Sequence, residues 1–244
     1  MEDGKISLSR RLMMLARMVT PENRVADVGC DHGFLSIYLV QAGISPGVIA
    51  MDVRRGPLAA AREHVGAWGL GAYIETRLSN GLQNLLANEA DTVVCAGMGG
   101  RLMERILTEG RVRALQMKEL ILQPQSEIPE FRKFLRQAGF LVVSEDMVCE
   151  DGKYYFAMRA VPGPGTGTKE CVPDREMRLY DRFGKRLLGE KHPLLLPYLR
   201  LREEVLLGIV RELTDQDSKR AKRRLLEIQE ELKDIRSAMA LLET

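Results

Sequence analysis

No Cys-x-x-Cys pair occurs in this 244-residue chain, and its four cysteines, Cys30, Cys95, Cys149 and Cys171, are scattered along it. With only three histidines, none grouped with a cysteine at metal-ligand spacing, a zinc site and a disulfide scaffold are both excluded, and no metal is expected. The thiols read as reduced, core or site-lining groups. Long apolar runs are also missing. The opening stretch MEDGKISLSRRLMMLARMV is interrupted by charge every few positions, which excludes a secretory signal or a membrane span there and points to a cytoplasmic protein. Nor is there an excess of charge of one sign: 36 basic against 34 acidic residues leave a formal charge of +2. The total therefore says little about a polyanionic partner.

What is present is an ordinary globular composition, 45% hydrophobic and 29% charged, long enough for one substantial core plus an appendage. Local charge is more informative than net charge. Lys5, Arg10, Arg11 and Arg17 fall on the N-terminal segment, and Lys219, Arg220, Lys222, Arg223 and Arg224 form a dense run near the other end. Both are candidate phosphate-contacting patches, and both also suit the solvated faces of amphipathic helices.

Hydrophobic periodicity orders the chain. Leu8, Leu12, Leu15, Ala16 and Val19 recur at helical spacing after Ser7 and Ser9, either of which can cap a leading helix. Short apolar strands at 25–29, 48–52, 73–78, 92–96 and 119–123 then alternate with helices at 34–41, 57–68, 82–87, from Gly100 and at 129–138. This alternation predicts right-handed crossovers and a mostly parallel sheet covered on both faces. Two strand-like runs, 140–148 and 154–160, have only five residues between them and predict an antiparallel hairpin at the sheet edge. The Pro/Gly-rich stretch from Val161 to Thr168 reads as a domain boundary. The expected organisation is an α/β domain over 1–161, a linker over 162–171 and a helical domain over 172–244. In the last, Leu225, Ile228, Leu232, Ile235, Met239 and Leu242 form a coiled-coil seam, with Leu199, Leu206, Ile209 and Leu213 as its partner stripe and a turn at 214–218.

The residues suited to chemistry sit at strand ends. Asp27-Val-Gly29-Cys-Asp31-His-Gly33 occupies the first strand-to-helix turn, where open α/β sheets bind nucleotides and where glycine lets the backbone approach a ligand. A diphosphate requires this loop free of negative charge. Asp27 and Asp31 instead suit a ligand with a cationic amino acid end and a sulfonium, as in S-adenosylmethionine. Asp52 ends the second strand, 23 residues beyond Gly29, where an acidic side chain accepts ribose hydroxyls. Asn80 and Gly81 follow the third strand, where an amide can read an adenine edge. Cys30, Val53, Ala96, Gly97 and Met98 complete the expected cofactor set. The small residues Gly97, Gly99 and Gly100 after the fourth strand suit a flat substrate beside the cofactor, or simply the start of the next helix. Read alone, the glycines and carboxylates also fit tight turns and helix caps.

The combination of Ser9-Arg-Arg-Leu12, Ala26-Asp-Val-Gly-Cys-Asp-His-Gly-Phe-Leu35, Asn80-Gly-Leu82, Ala96-Gly-Met-Gly-Gly100, Leu122-Gln-Pro124 and Gly152-Lys-Tyr-Tyr155 resembles the bacterial tRNA (adenine-22-N1)-methyltransferase family, the TrmK family. The pairing of Asp-His after the first strand with Ala-Gly-Met-Gly-Gly after the fourth is its most specific part. The chain departs from the family's usual Asp-Ile-Gly-Ser-Asp-His-Ala-Tyr-Leu-Pro at Cys30, Gly33, Phe34 and Ser36, so that Phe34 keeps the ring and loses the hydroxyl. Gln125 stands where the family often has Asn. The resemblance implies a Rossmann-like class I methyltransferase sheet followed by a C-terminal coiled coil, S-adenosylmethionine as cofactor, tRNA as partner, and methylation of N1 of adenine 22 in the D arm.

On this reading Asp31 faces the target base and His32 orients Asp31 or contacts phosphate. The other expected substrate contacts are Phe34, Gly99, Gly100, Arg10, Arg11, Lys219, Arg220 and Arg223. His64 and His192 read as surface residues, and a monomer is expected. Two alternatives stay open at this stage. One is a small-molecule methyltransferase whose helical tail dimerises; the other is an RNA-binding protein that keeps the cofactor fold without turnover.

Overall fold

The computed structural model describes residues 6–163, 173–214 and 218–243. The chain divides into two compact units, Met1–Glu170 and Cys171–Thr244. Most of the expected linker, and the middle of the expected turn near 214–218, lie outside the described residues.

The first unit is built on seven strands: β1 (Val25–Val28), β2 (Val48–Asp52), β3 (Ile74–Leu78), β4 (Thr92–Met98), β5 (Glu119–Pro124), β6 (Phe140–Glu150) and β7 (Lys153–Pro162). They form one sheet in the order β3-β2-β1-β4-β5-β7-β6. The first five run parallel, and β7 pairs antiparallel with both β5 and β6. The doubly covered parallel sheet and the antiparallel edge hairpin anticipated from the sequence are both present. The hairpin is tighter than its sequence spacing suggested, because Glu150 pairs with Lys153 across the two-residue turn Asp151–Gly152.

Every residue of β1, β2 and β5 is buried, which is why these strands read as continuous apolar runs. Alternation along each strand sends successive side chains to opposite faces. Val25, Ala50, Val94 and Ile121 join Met14 and Leu15 of α1 (Arg10–Met18), Leu35 and Leu39 of α2 (Phe34–Gln41), and Leu58 and Val65 of α3 (Arg55–Ala67). Ala26, Val28, Met51, Val93 and Leu122 pack instead with Met103 and Leu107 of α4 (Gly100–Glu109) and, beyond the short α5 (Arg111–Ala114), with Phe131 and Leu135 of α6 (Ile128–Gln137). Ser9 caps α1, its side chain accepting from the Leu12 amide at 3.3 Å.

One expected element does not form. Residues 82–87 make turns rather than a helix, although Leu82 and Leu85 are buried as an amphipathic helix would bury them. Side chains compete for the backbone groups that a helix needs. Ser79 Oγ donates to the Gly81 carbonyl and accepts from the Asn84 amide, Arg77 donates to the Asn84 carbonyl, and the Glu89 carboxylate accepts from the Leu86 amide at 2.7 Å.

The second unit is helical: α7 (Asp174–Phe183), α8 (Lys185–Gly189), α9 (Leu195–Thr214) and α10 (Lys219–Glu243). α9 and α10 run antiparallel, since Arg200 reaches Glu243 while Glu203 reaches Arg236. Ile228, Leu232 and Ile235 of the seam are buried together with Leu199 and Leu206 of the partner stripe. The buried Asp234 carboxylate of α10 is paired by Arg178 and Arg182 of α7, at 2.6 and 3.4 Å. Among the described residues no helix is long and apolar enough to cross a membrane.

Candidate active site

The strand order places the site. From β1 the chain builds outward through β2 and β3, then crosses back to lay β4 and β5 on the other side of β1. The crevice at the carboxyl ends of β1 and β4 is therefore the switch point where open parallel sheets take ligands. A cavity of about 540 Å³ opens there, a size that suits a nucleoside-bearing ligand.

Asp27 comes from the face of β1 that meets α2, where Ser36 Oγ donates to its carboxylate at 2.6 Å. Burial in this apolar surrounding raises its pKa from an ordinary carboxylate value to about 6; the Ser36 hydrogen bond opposes the rise and the neighbouring charge of Asp52 adds to it. Beyond β1 the Gly29 and Cys30 amides both donate to the Met51 carbonyl. Gly29 has φ +73°, and a Cβ there would lie 2.2 Å from Met98 Cε. The positive φ is what favours glycine, since Met98 Cε is the movable end of its side chain. Burial, followed by the fields of Asp27 and Asp52, pushes the Cys30 thiol far above its ordinary value, so Cys30 lines the cavity as a neutral thiol rather than a nucleophile. Burial likewise raises Cys95 to about 12.

Asp31 follows in a left-handed conformation, φ 50°. It is 63% exposed, with His32 Nε2 3.8 Å from its carboxylate. Asp52 closes β2 and is only 4% exposed. The Arg54 amide donates to its Oδ1 at 2.8 Å, which fixes the rotamer. The turn after β3 carries Asn80 and Gly81 to the cavity wall, and Ser79 Oγ shapes it through its bond to the Gly81 carbonyl.

Across the crevice, β4 continues two residues past its expected end and bulges against β5 between Ala96 and Met98. Gly97 has φ +75°, and its amide donates to Gln123 Oε1 at 3.2 Å. The same oxygen accepts from Arg11 Nη1 at 3.0 Å, and the Arg11 guanidinium lies 5.7 Å from the Tyr155 ring centre. The fully buried amide of Gln123 thus ties α1 to the bulge of β4.

The structure brings together, around one cavity, Asp27, Gly29, Cys30, Asp31, His32, Phe34, Asp52, Val53, Asn80, Gly81, Ala96, Gly97, Met98 and Arg11. It leaves the others outside. Gly99 and Gly100 sit at the start of α4 without lining the cavity; a Cβ on Gly100 would come within 2.7 Å of the Ser126 carbonyl oxygen, and one on Gly99 within 2.9 Å of Ser126 Oγ. Their smallness serves this close approach of α4 to the loop after β5. Arg10 is exposed outside the cavity, its backbone amide donating to Glu150 at 2.7 Å. Lys219, Arg220 and Arg223 are exposed on α10, in the other unit.

Several lining residues carried no signal in the sequence: Arg54, and Leu102, Arg105 and Ile106 of α4. Leu102 and Ile106 are four apart on one helical face, where the pattern reads as ordinary core. Only the exposure of Leu102 marks it as different. A wider groove of about 850 Å³ lies along α7 and α10 of the second unit, but it lacks the strand-end carboxylates and glycine turn that give the smaller cavity its chemistry. Among the described residues no group of three or more His, Cys, Asp or Glu side chains is placed to hold a metal ion.

A family model described as a methyltransferase domain matches residues 8–158. The tRNA (adenine(22)-N(1))-methyltransferase of Bacillus subtilis is 33% identical over 160 residues, spanning 66% of this chain and 67% of that protein. The chain belongs to this tRNA (adenine(22)-N(1))-methyltransferase family. The likeness extends over both units of the methyltransferase. A crystal structure of a putative tRNA (m1A22) methyltransferase from Streptococcus pneumoniae covers 96% of this chain and 100% of its own, with a TM-score of 0.84 and 30% identity. A second structure of that protein, in complex with S-adenosyl-L-methionine, has a TM-score of 0.82 and 29% identity, with 96% and 100% coverage.

Proposed function

We propose that the crevice at the ends of β1, β2 and β4 binds S-adenosylmethionine and presents it to an adenine of tRNA, whose N1 is methylated. The enzyme is an S-adenosylmethionine-dependent tRNA (adenine-N1)-methyltransferase, and adenine 22 is the target that its relatives' activity supports. The observation carrying this reading is the charge of the donor set. Two carboxylates, Asp27 and Asp31, flank the glycine turn and line the cavity, whereas a dinucleotide site would keep that turn free of them.

The residues fit that cofactor group by group. Asp52 accepts from the ribose hydroxyls, Asp27 and the glycine turn face the cationic amino acid end, and Asn80 reads the adenine edge between Val53 and the Leu102–Ile106 face of α4. S-adenosylmethionine, when bound, supplies an electrophilic methyl group on a sulfonium. The N1 lone pair of adenine is unprotonated near neutral pH, so no side chain has to remove a proton first. The protein's task is position and electrostatics. Asp31 accepts from the exocyclic amine and offsets the positive charge that develops on the ring, and His32 orients Asp31. Turning the base out of a folded RNA costs on the order of a few kcal/mol, offset by phosphate contacts from Arg10, Arg11 and the basic start of α10.

In this reading the α/β domain over 1–161 carries the chemistry and the helical domain over 172–244 helps hold the RNA. A monomer is the functional unit, a view supported by the burial of Ile228, Leu232 and Ile235 of α10 within a single chain. The cytoplasm, where tRNA is processed, is the inferred compartment.

The experiment is incubation of the protein and cofactor with unmodified tRNA, followed by nucleoside mass spectrometry and mapping of the modified position. N1-methyladenosine is expected. Its absence while calorimetry shows cofactor uptake would overturn the reading.

Asp27 gives this binding a pH dependence whose sign is fixed. Its pKa is raised by burial to about 6, so the folded protein without ligand holds a proton that the unfolded chain releases at lower pH. The stability that this proton contributes at low pH is lost as pH rises from 3.8 to about 6. A cationic ligand end favours the ionised carboxylate. Binding should therefore expel a proton near pH 6, and affinity should weaken as pH falls through that value. Calorimetry in two buffers of different ionisation enthalpy reads the proton directly, and Asp27→Asn should abolish the difference between them.

A further inference from the structure

Three rings cluster at the mouth of the cavity, and one of them belongs to no part of the site described above. His32 and Phe34 line the cavity; His64, from α3, does not. Yet the His64 ring lies 5.0 Å from the Phe34 ring at 22° and 5.8 Å from that of His32, while His32 and Phe34 are 5.6 Å apart at 20°. Phe34 is 39% exposed and the His32 side chain 50%. His64 is half-buried.

The backbone explains how His64 comes to be there. A Cβ on Gly33 would stand 3.2 Å from Ala61 Cβ, so the loop after β1 lies directly on α3. His64, one turn beyond Ala61, falls on the same face. Its Nδ1 is 2.9 Å from the His32 carbonyl oxygen; a carbonyl can only accept, so Nδ1 carries the proton and donates. The ring is thereby held in place beside Phe34.

We propose that the rings of His64, Phe34 and His32 form a stacking face for an unpaired RNA base next to the target adenine. The inference rests on the cavity receiving that adenine. With the target inside, Phe34 and His32 stand beside it as lining residues, and His64 adds a third ring to the same aromatic cluster. Base–aromatic stacking is sequence-tolerant and independent of charge, because every base has a π-face. The face therefore contributes to holding the everted strand rather than to reading its sequence.

The test uses the full-length protein with S-adenosylhomocysteine and tRNA carrying 2-aminopurine at the position before or after the methylated adenine. Stacking should quench the fluorescence at one of these positions on binding, and His64→Ala should restore it. In steady-state assays His64→Ala should raise KM for tRNA about tenfold while leaving kcat and cofactor Kd within about twofold. His64→Phe, which keeps a ring and loses the donor to His32, should hold KM near the wild-type value. Loss of kcat or of cofactor affinity in His64→Ala, with no rescue by His64→Phe, would show that His64 only props the loop and would overturn the proposal. So would the absence of quenching at both positions in the wild-type protein, a measurement that no folding defect can confuse. If no adenine is methylated at all, the functional reading itself falls; methylation without quenching removes the stacking face alone.

Discussion

Replacing Asp52 by alanine should weaken S-adenosylmethionine binding by on the order of a hundred- to ten-thousandfold while leaving the fold intact. The carboxylate is 4% exposed at the end of β2, and its Oδ1 is already aimed by the Arg54 amide, so little ordering is needed when hydroxyls arrive. Two hydrogen bonds to an ionised acceptor contribute about 1.5–3 kcal/mol each, and alanine removes both. Asp52→Asn keeps the shape and one acceptor oxygen, so its loss should be nearer tenfold. The same change should shift the pH at which Asp27 releases its proton downward, because the Asp52 charge is one of the causes that raise the Asp27 pKa. Calorimetric titration checks both variants, and an affinity within about threefold of wild type for Asp52→Ala would remove Asp52 from the cofactor site.

The second large effect belongs to Asp31 and should appear in turnover rather than in cofactor binding. Asparagine is the proper replacement because residue 31 has φ 50°, a region that Asn tolerates and that a β-branched side chain would strain. Asp31→Asn keeps the size and the backbone and removes the charge that faces the developing cation. We expect kcat to fall about a hundredfold, the scale for losing one preorganised electrostatic contact, with cofactor Kd raised by no more than about threefold, because the exposed Asp31 charge adds little to the buried Asp27 and Asp52. Labelled methyl transfer into tRNA gives the rate. An undiminished rate would make Asp31 a bystander, and an equal loss of kcat and cofactor affinity would make it part of the cofactor site instead.

The placement of these two residues at the crevice was legible in the sequence because both lie at or just beyond strand ends. Val25 to Val28 and Val48 to Asp52 read as buried strands from their apolar runs, and a carboxylate ending such a run has few places to be except at a crevice. The turn holding Gly29 was legible for the same local reason. The region after β3 misled because Leu82 and Leu85 mimic a helical face, while Ser79, Arg77 and Glu89 hold the backbone in turns through side-chain hydrogen bonds that hydrophobic spacing does not register. Arg54 and Arg105 gave no warning at all, since an arginine in a loop or on a helix reads first as a solvated charge.

By itself the sequence determined the layered α/β plan, the antiparallel edge, the helical second part and the acid-bearing turn, because each depends on the φ/ψ preferences and side-chain periodicity of a few consecutive residues. Only the tertiary structure decided which distant groups share the crevice. Gln123 of β5 joins Arg11 of α1 to the amide of Gly97, and His64 of α3 meets the ring of Phe34. Such meetings depend on strand order and on how closely a loop lies against a helix. Both are set by packing the whole sheet rather than by any local run of residues.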